Sequence, residues 1–382
     1  MINYLSKRKF MAELCRYRRG SITRRHFLGA TGLGTAMAVL GSAMPALRPR
    51  PASAADIGNR VILATWPNYH NLDNFERFTD QTGAFAQVNV FGSNEEMLAK
   101  LQAGGSGWDV FVPTNYTITT YVKEDLIEPL DVAKLPNYDA SALDPRFSDA
   151  GIVDGTLYAV PKNWGTTGYV VNTQHTDGQA LTTWKEFWDI SREGFSGRTM
   201  VHDYQLTTIG NALKYFGYSF NSIDPAELAD AEALLLDVKP HLFAISSDYQ
   251  PAMRNGDAWM SMCWTGDGKQ LNTDLPELVY VIGREGGEIW SDYYAIPKGA
   301  PHREAAYALI NFLIDPQVNA DEALAHGYPV ADSRTNALLP KEMLEDPILY
   351  PAQELLSALE FGAAATLTDP NRAELLARFK SA

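Results

Sequence analysis

The chain has 382 residues, 20 % of them charged, with 32 basic and 46 acidic side chains and a formal net charge of −14 at neutral pH. Residues 1–54 hold ten of those bases and a single acid, Glu13, so the remaining 328 residues carry 22 bases against 45 acids, a charge of −23. That balance argues against nucleic acid and anionic membranes as partners and mildly favours cationic ligands through steering. Beyond residue 54 the only cysteine is Cys263, so no internal disulfide can form there and stability must come from one or two apolar cores.

The opening segment reads as an address. Thr23-Arg24-Arg25-His26-Phe27-Leu28 sets an arginine pair before a Gly- and Ala-rich, weakly apolar run to about Leu47, and Ala52-Ser53-Ala54 follows. This is the pattern of a twin-arginine export signal with a small-residue cleavage site. The expectation is a signal peptide over residues 1–54, cleaved near Ala54, and a periplasmic protein.

After it, residues 60–65 form an apolar β-prone run that turns at Trp66-Pro67-Asn68-Tyr69. Residues 72–81 read as a helix with Leu72, Phe75 and Phe78 on one face and Gly83 as its stop. Residues 85–91 return to strand. Ser93 with Glu96 predicts a capping box for a helix that turns Met97, Leu98 and Leu101 inward. The glycine cluster 104–107 follows a helix, whereas a phosphate loop precedes one, so it is a turn. Residues 108–113 make a third strand, ending at Thr114-Asn115-Tyr116, and a short helix covers 118–124.

Two strands, 157–161 and 167–172, flank Trp164-Gly165. A second α/β unit follows, with helices at 183–189, 207–216 and 225–238 and strands at 198–201 and 258–264. Strands at 279–282 and 294–296, a helix at 303–313 and a helical tail over 341–379, broken at its prolines, complete the pattern. There is no internal repeat and no linker. Alternating strands and helices predict open α/β sheets with ligands beyond the carboxyl ends of the strands, where Trp66, Tyr69, Thr114 and Tyr116 fall. Two such units predict two lobes with a cleft between them.

Two pieces carry chemistry, Trp264-Thr265-Gly266-Asp267 and Trp290-Ser291-Asp292. Each sets an indole two or three positions before a carboxylate. An indole face attracts a cation and a carboxylate takes charge-assisted hydrogen bonds from an ammonium, so the two pieces together suit a ligand with a positive charge at each end. The bland readings are a strand-end salt bridge from Asp292 to Arg284 or Lys298, and turn chemistry for Gly266-Asp267-Gly268. The six histidines beyond residue 54 show no metal-ligand spacing and no nucleophile elbow is present, so neither a cofactor nor an enzyme is indicated.

Across residues 60–379 the chain resembles the periplasmic polyamine-binding proteins of ATP-driven importers, within the extracellular solute-binding proteins. The resemblance rests on Thr65-Trp66-Pro67-Asn68-Tyr69, on the run from Ser93 to Leu101, and on the run from Trp108 to Thr114. Further on it rests on Trp164-Gly165-Thr166-Thr167-Gly168, Trp264-Thr265-Gly266-Asp267, Glu285-Gly286-Gly287, Trp290-Ser291-Asp292 and Gly327-Tyr328-Pro329. It implies an α/β fold of the class II periplasmic-binding-protein type, two lobes with open mixed sheets joined by crossing strands. One lobe is expected over 55–166 and 289–337, the other over 167–288 and 338–382. It implies an aromatic box of Trp66, Tyr69, Tyr116, Trp264, Trp290 and Tyr328, a hydroxyl at Thr114, and ammonium-binding carboxylates at Asp292 and Asp267. The partners implied are a polyamine (putrescine or spermidine) and an inner-membrane permease, with the chain a monomer. Tyr204 and Thr207 stand where the family commonly has acids, Asp203 being the nearest replacement. Gly362 stands where a polar ligand contact can occur, and Pro67 replaces a Ser or Thr. These departures keep open another amine, an amino acid or an opine-like solute. A ferric-ion binder using Tyr293 and Tyr294 is a further alternative, as is an exported enzyme or sensor.

Overall fold

The computed structural model describes residues 57–382; the arginine pair and the cleavage motif lie outside the described residues. Strand β1 (Arg60–Thr65) is buried after its first residue. Helix α1 (Leu72–Thr82) is capped by Asn71 and ended by Gly83 in the left-handed region. Phe75 and Phe78 are buried, but Leu72 is 64 % exposed. At 100° per residue it lies about 120° round the helix from Phe78, off the apolar stripe.

Strand β2 (Phe85–Val90) and helix α2 (Asn94–Gln102) follow. Ser93 Oγ accepts the Glu96 N–H at 3.1 Å, yet the Glu96 carboxylate takes the Gly92 N–H at 2.8 Å, so only half of the expected capping box forms. Strand β3 is shorter than expected, Val110–Phe111, and leads into α3 (Ile118–Lys123).

The largest departure from the sequence reading is β4 (Ala159–Asn172), one 14-residue strand where two were expected. The expected gap between them was Trp164-Gly165 and its neighbours. Gly165 is there for another reason: a Cβ on it would stand 2.6 Å from Cζ2 of Trp290 on the neighbouring strand. The remaining elements are α4 (Trp184–Arg192), β5 (Thr199–Val201), α5 (Gln205–Tyr215), α6 (Pro225–Val238), β6 (Leu242–Ile245), β7 (Met260–Trp264) and α7 (Thr265–Asp274). Then come β8 (Leu278–Val281), β9 (Gly287–Ala295), α8 (Arg303–Leu313), α9 (Pro316–His326), β10 (Leu359–Phe361) and α10 (Pro370–Ser381). Helix α9 and strand β10, which pairs in parallel with β9, have no counterpart in the sequence reading.

The strands run β2-β1-β3-β9-β4-β7-β5-β6. β1 pairs in parallel with β2 and β3, and β5 in parallel with β6 and β7. Between these parallel groups lie the antiparallel strands β9 and β4, paired with each other from Glu288 to Ala295. Two cores result. One gathers Val61, Leu63, Phe78, Val110, Ile310 and Leu313 around β1 and α8. The other gathers Trp184, Phe187, Trp188, Leu213, Leu235 and Met260 around β5, β7 and the helices facing them.

Candidate ligand-binding cleft

Each parallel group points the carboxyl ends of its strands at one cavity of about 800 Å³. The chain leaving β1 supplies Trp66 and Tyr69, and the chain leaving β3 supplies Thr114 and Tyr116. From the other group come Tyr204 after β5 and Trp264 and Asp267 after β7. Trp290 and Asp292 come from β9, and Tyr328 follows α9. All ten residues singled out in the sequence therefore line one cavity. Gly362 and Thr207 do not. Gly362 packs beneath Tyr116, and Thr207 is buried against His202 Nδ1 at 3.1 Å.

The aromatic walls are braced. Trp66 Nε1 donates to the Val112 carbonyl at 3.2 Å, and Trp264 Nε1 donates to Tyr204 Oη at 3.2 Å. Tyr328 meets Tyr69 and Trp290 edge-on, with ring centroids 5.1 Å and 5.3 Å apart. Asn94 Nδ2 donates to Tyr116 Oη at 3.0 Å and to Thr114 Oγ1 at 3.2 Å. Such rings offer π faces and flat apolar area at fixed positions, which suits a methylene chain or a cation.

Asp292 stands in the middle of β9, only 4 % exposed; the sequence reading had put it beside a strand. Neither expected salt bridge forms: Lys298 pairs with Asp125 at 2.7 Å, and no ion pair joins Arg284 to Asp292 among the described residues. Tyr69 Oη lies 2.9 Å from Asp292 Oδ2 and 2.5 Å from Asn163 Oδ1. With the amide oxygen toward Tyr69, its single proton serves one acceptor, and a proton on Asp292 completes the bridge. Asp292 Oδ1 is buried without a hydrogen-bond partner, as is Trp290 Nε1. Burial pushes the Asp292 carboxyl up to about 7, against the nearby hydroxyls of Thr114 and Tyr69 and the charge of Lys162.

Lys162 reaches that position through a β-bulge. Asp292 pairs with Asn163 and Tyr293 with Pro161, so the register skips Lys162. Its ammonium sits 4.6 Å from the centroid of Tyr69 and 3.8 Å from Glu322, fully inside the protein. Burial pushes Lys162 down, opposed by Glu322 and Asp292. Nothing in the local sequence announces this cation beneath the cleft.

Asp267 is different. Gly266-Asp267-Gly268 is the first turn of α7, where a loop turn was the bland expectation. Asp267 accepts from Tyr249 Oη at 2.7 Å; burial raises its carboxyl, and hydrogen bonds from Tyr249 and Gln250 lower it. Tyr249 was missed in the sequence; it lies in an irregular stretch beside a short helix, with no periodic signal. Glu288 was missed too, although a signal existed: it precedes Trp290 by two positions and Asp292 by four, on the same face of a strand. Tyr293 and Tyr294 do not line the cleft. Tyr293 donates to the Phe147 carbonyl at 2.6 Å, Tyr294 enters a different core, and neither faces the other's partners.

Residues 74–351 match the family model described as bacterial extracellular solute-binding protein. The spermidine/putrescine-binding periplasmic protein of Escherichia coli is 31 % identical over 350 residues, 90 % of this chain and 95 % of that one. A putrescine-binding periplasmic protein of Pseudomonas aeruginosa is 31 % identical over 324 residues, 81 % of this chain and 88 % of that one. The solved structure of a spermidine/putrescine ABC transporter substrate-binding protein from Streptococcus pneumoniae superimposes with a TM-score of 0.69. Its sequence identity is 28 %, covering 85 % of this chain and 99 % of that one. The fold of parallel strand ends around a shared cleft, the aromatic walls and these likenesses converge: the chain belongs to the bacterial extracellular solute-binding proteins.

Proposed function

We propose that this chain is the periplasmic solute-binding component of an ATP-driven importer, which captures a polyamine, putrescine or spermidine, and delivers it to an inner-membrane permease. The observation that carries the reading is Asp292, a buried carboxylate with one unpartnered oxygen, on a residue that lines a cleft walled by Trp66, Tyr116, Trp264, Trp290 and Tyr328. A desolvated carboxylate gains most from a cation, and the rings cover the chain between charges. The basic groups speak against an anionic or amino-acid ligand. Arg254 alone among the described lining residues is basic, and it is taken up by Asp274 and by Gln250 at 3.2 Å.

In this reading the chain works as a monomer, with lobes over 55–166 and 289–337 and over 167–288 and 338–382, after export by the twin-arginine route and removal of residues 1–54. The lobes rotate about β4 and β9, and the ligand shifts that equilibrium through its higher affinity for the closed form. It is a carrier and turns nothing over. A thermal-shift screen with putrescine, spermidine, free amino acids and ferric ion tests the reading. Ligand at 100 times its Kd stabilises the folded state by about 2.7 kcal/mol, so polyamines should raise Tm clearly. A rise with amino acids or iron, and none with either polyamine, overturns the ligand assignment.

A further inference from the structure

Five carboxylates line the cleft: Asp203, Asp248, Asp267, Glu288 and Asp292. Asp203 accepts from Ser247 Oγ at 2.6 Å, Asp248 is exposed, and Asp267 sits at a helix start bonded to Tyr249. Glu288 and Asp292 stand apart from these. They lie on one face of β9 with Trp290 between them, 3 % and 4 % exposed, and neither is in an ion pair among the described residues. Thr167 Oγ1 donates to Glu288 Oε2 at 2.5 Å, which leaves Oε1 without a hydrogen-bond partner among the described residues. Asp292 Oδ1 and Trp290 Nε1 are buried and unpartnered. Three alternate positions on one strand face thus line the cleft and each holds a polar atom with no hydrogen-bond partner among the described residues.

Resting on the polyamine reading above, we propose that Glu288, rather than Asp267, is the second ammonium-binding carboxylate of this cleft, and that the ligand is a linear diammonium laid across Trp290. Four strand residues span roughly 13 Å between Cα atoms, and two inward-leaning carboxylates bring that within reach of an extended diamine with a hydrogen bond at each end. The position of the second charge also sets selectivity. An amino acid holding its ammonium at Asp292 would turn its own carboxylate toward Glu288, where like charges repel in a desolvated site.

The groups facing Glu288 are Asp292 of its own strand, Tyr116 from the segment after β3, Tyr204 from the N-cap of α5, and Thr167 of β4. Those facing Asp292 are Tyr69, Thr114, Lys162, Tyr328 and Glu288. Burial pushes Glu288 up to about 7, opposed by Thr167 and reinforced by Asp292, the same range as Asp292 itself. Burial thus favours the protonated form of both carboxyls in the empty cleft, and a bound cation favours release of the proton.

Titration calorimetry on the whole chain with 1,4-diaminobutane and butylamine tests this. In E288Q the ratio of diaminobutane to butylamine affinity should fall at least about 30-fold, and in D267N by much less. An unchanged ratio in E288Q, or the larger fall in D267N, overturns the proposal. A wild-type chain that binds neither amine overturns the polyamine reading itself. A measurement without substitutions stands beside these in case E288Q does not fold. At neutral pH the wild-type chain should release more protons on binding diaminobutane than on binding butylamine, read from the dependence of the heat on buffer ionisation. Equal release for the two amines means that Glu288 does not meet the second ammonium.

Discussion

Trp264-Thr265-Gly266-Asp267 and Trp290-Ser291-Asp292 are made of the same residue types and open into the same cleft, yet their carboxylates live in different surroundings. Asp267 occupies the first turn of α7, where the unpaired N–H groups of a helix start favour an anion, and Tyr249 donates to it. Asp292 lies in mid-strand, where no such field exists, and one of its oxygens has no partner. A bound ammonium is therefore expected to add less to Asp267 than to Asp292. The indole-carboxylate pair is ambiguous as a sequence motif, and the backbone beneath it decides how much of the acid's affinity is left for a ligand.

The comparison can be broken at three points. The largest effect is expected from D292N, which should weaken every amine, mono- or dicationic, by about 2–5 kcal/mol in titration calorimetry, as loss of one member of a desolvated charge pair does. Unchanged affinity would remove Asp292 from the site. Next is G165A. Its new Cβ would fall 2.6 Å from the Trp290 ring in a position with no space, so the ring or the strand must shift. A loss of about 1–3 kcal/mol in urea unfolding is expected, together with weaker binding, because overpacking a filled site forces strain. A fully stable G165A with native affinity would show that Trp290 has freedom the packing denies. The smallest effect belongs to D267N, within about 1 kcal/mol on amine binding, since the amide keeps the Tyr249 contact and the helix start loses only a modest electrostatic gain. Equal losses in D267N and D292N would erase the distinction between the two motifs.

Much of this architecture can be read from the chain, and the failures have physical reasons. Helices 225–238 and 303–313 agree residue for residue with the sequence reading. For the first, Asp224 and Pro225 mark the start unambiguously. Trp66, Tyr69, Thr114 and Tyr116 were legible because parallel strands deliver their carboxyl ends to one place, and the two indole-carboxylate pairs because of their chemistry, whereas Tyr204 and Tyr328 were indicated only by the family resemblance. Strand β4 was not legible as one element. Gly165 reads as a break until the Trp290 ring is placed against it, which is a tertiary fact. Lys162 and Glu322 are 160 residues apart in sequence terms, and only the bulge and α9 bring them to 3.8 Å. Glu288 could have been found by counting in twos from Asp292, had Trp290-Ser291-Asp292 been read as mid-strand and not as the edge of one.

The continuity of β4 and β9 has a consequence for how a ligand is taken. In the closure proposed above these two strands are the axis, and groups riding on an axis barely travel. Glu288, Trp290 and Asp292 ride on it. Trp66, Tyr116, Tyr204 and Trp264 stand on chain leaving the strand ends, off that axis, and the rotation moves them relative to it. The part of the cleft that reads charge is then already assembled in the open protein, and the part that reads shape assembles only as it shuts. Capture divides into an encounter with a stationary carboxyl floor, followed by a folding-over of aromatic walls.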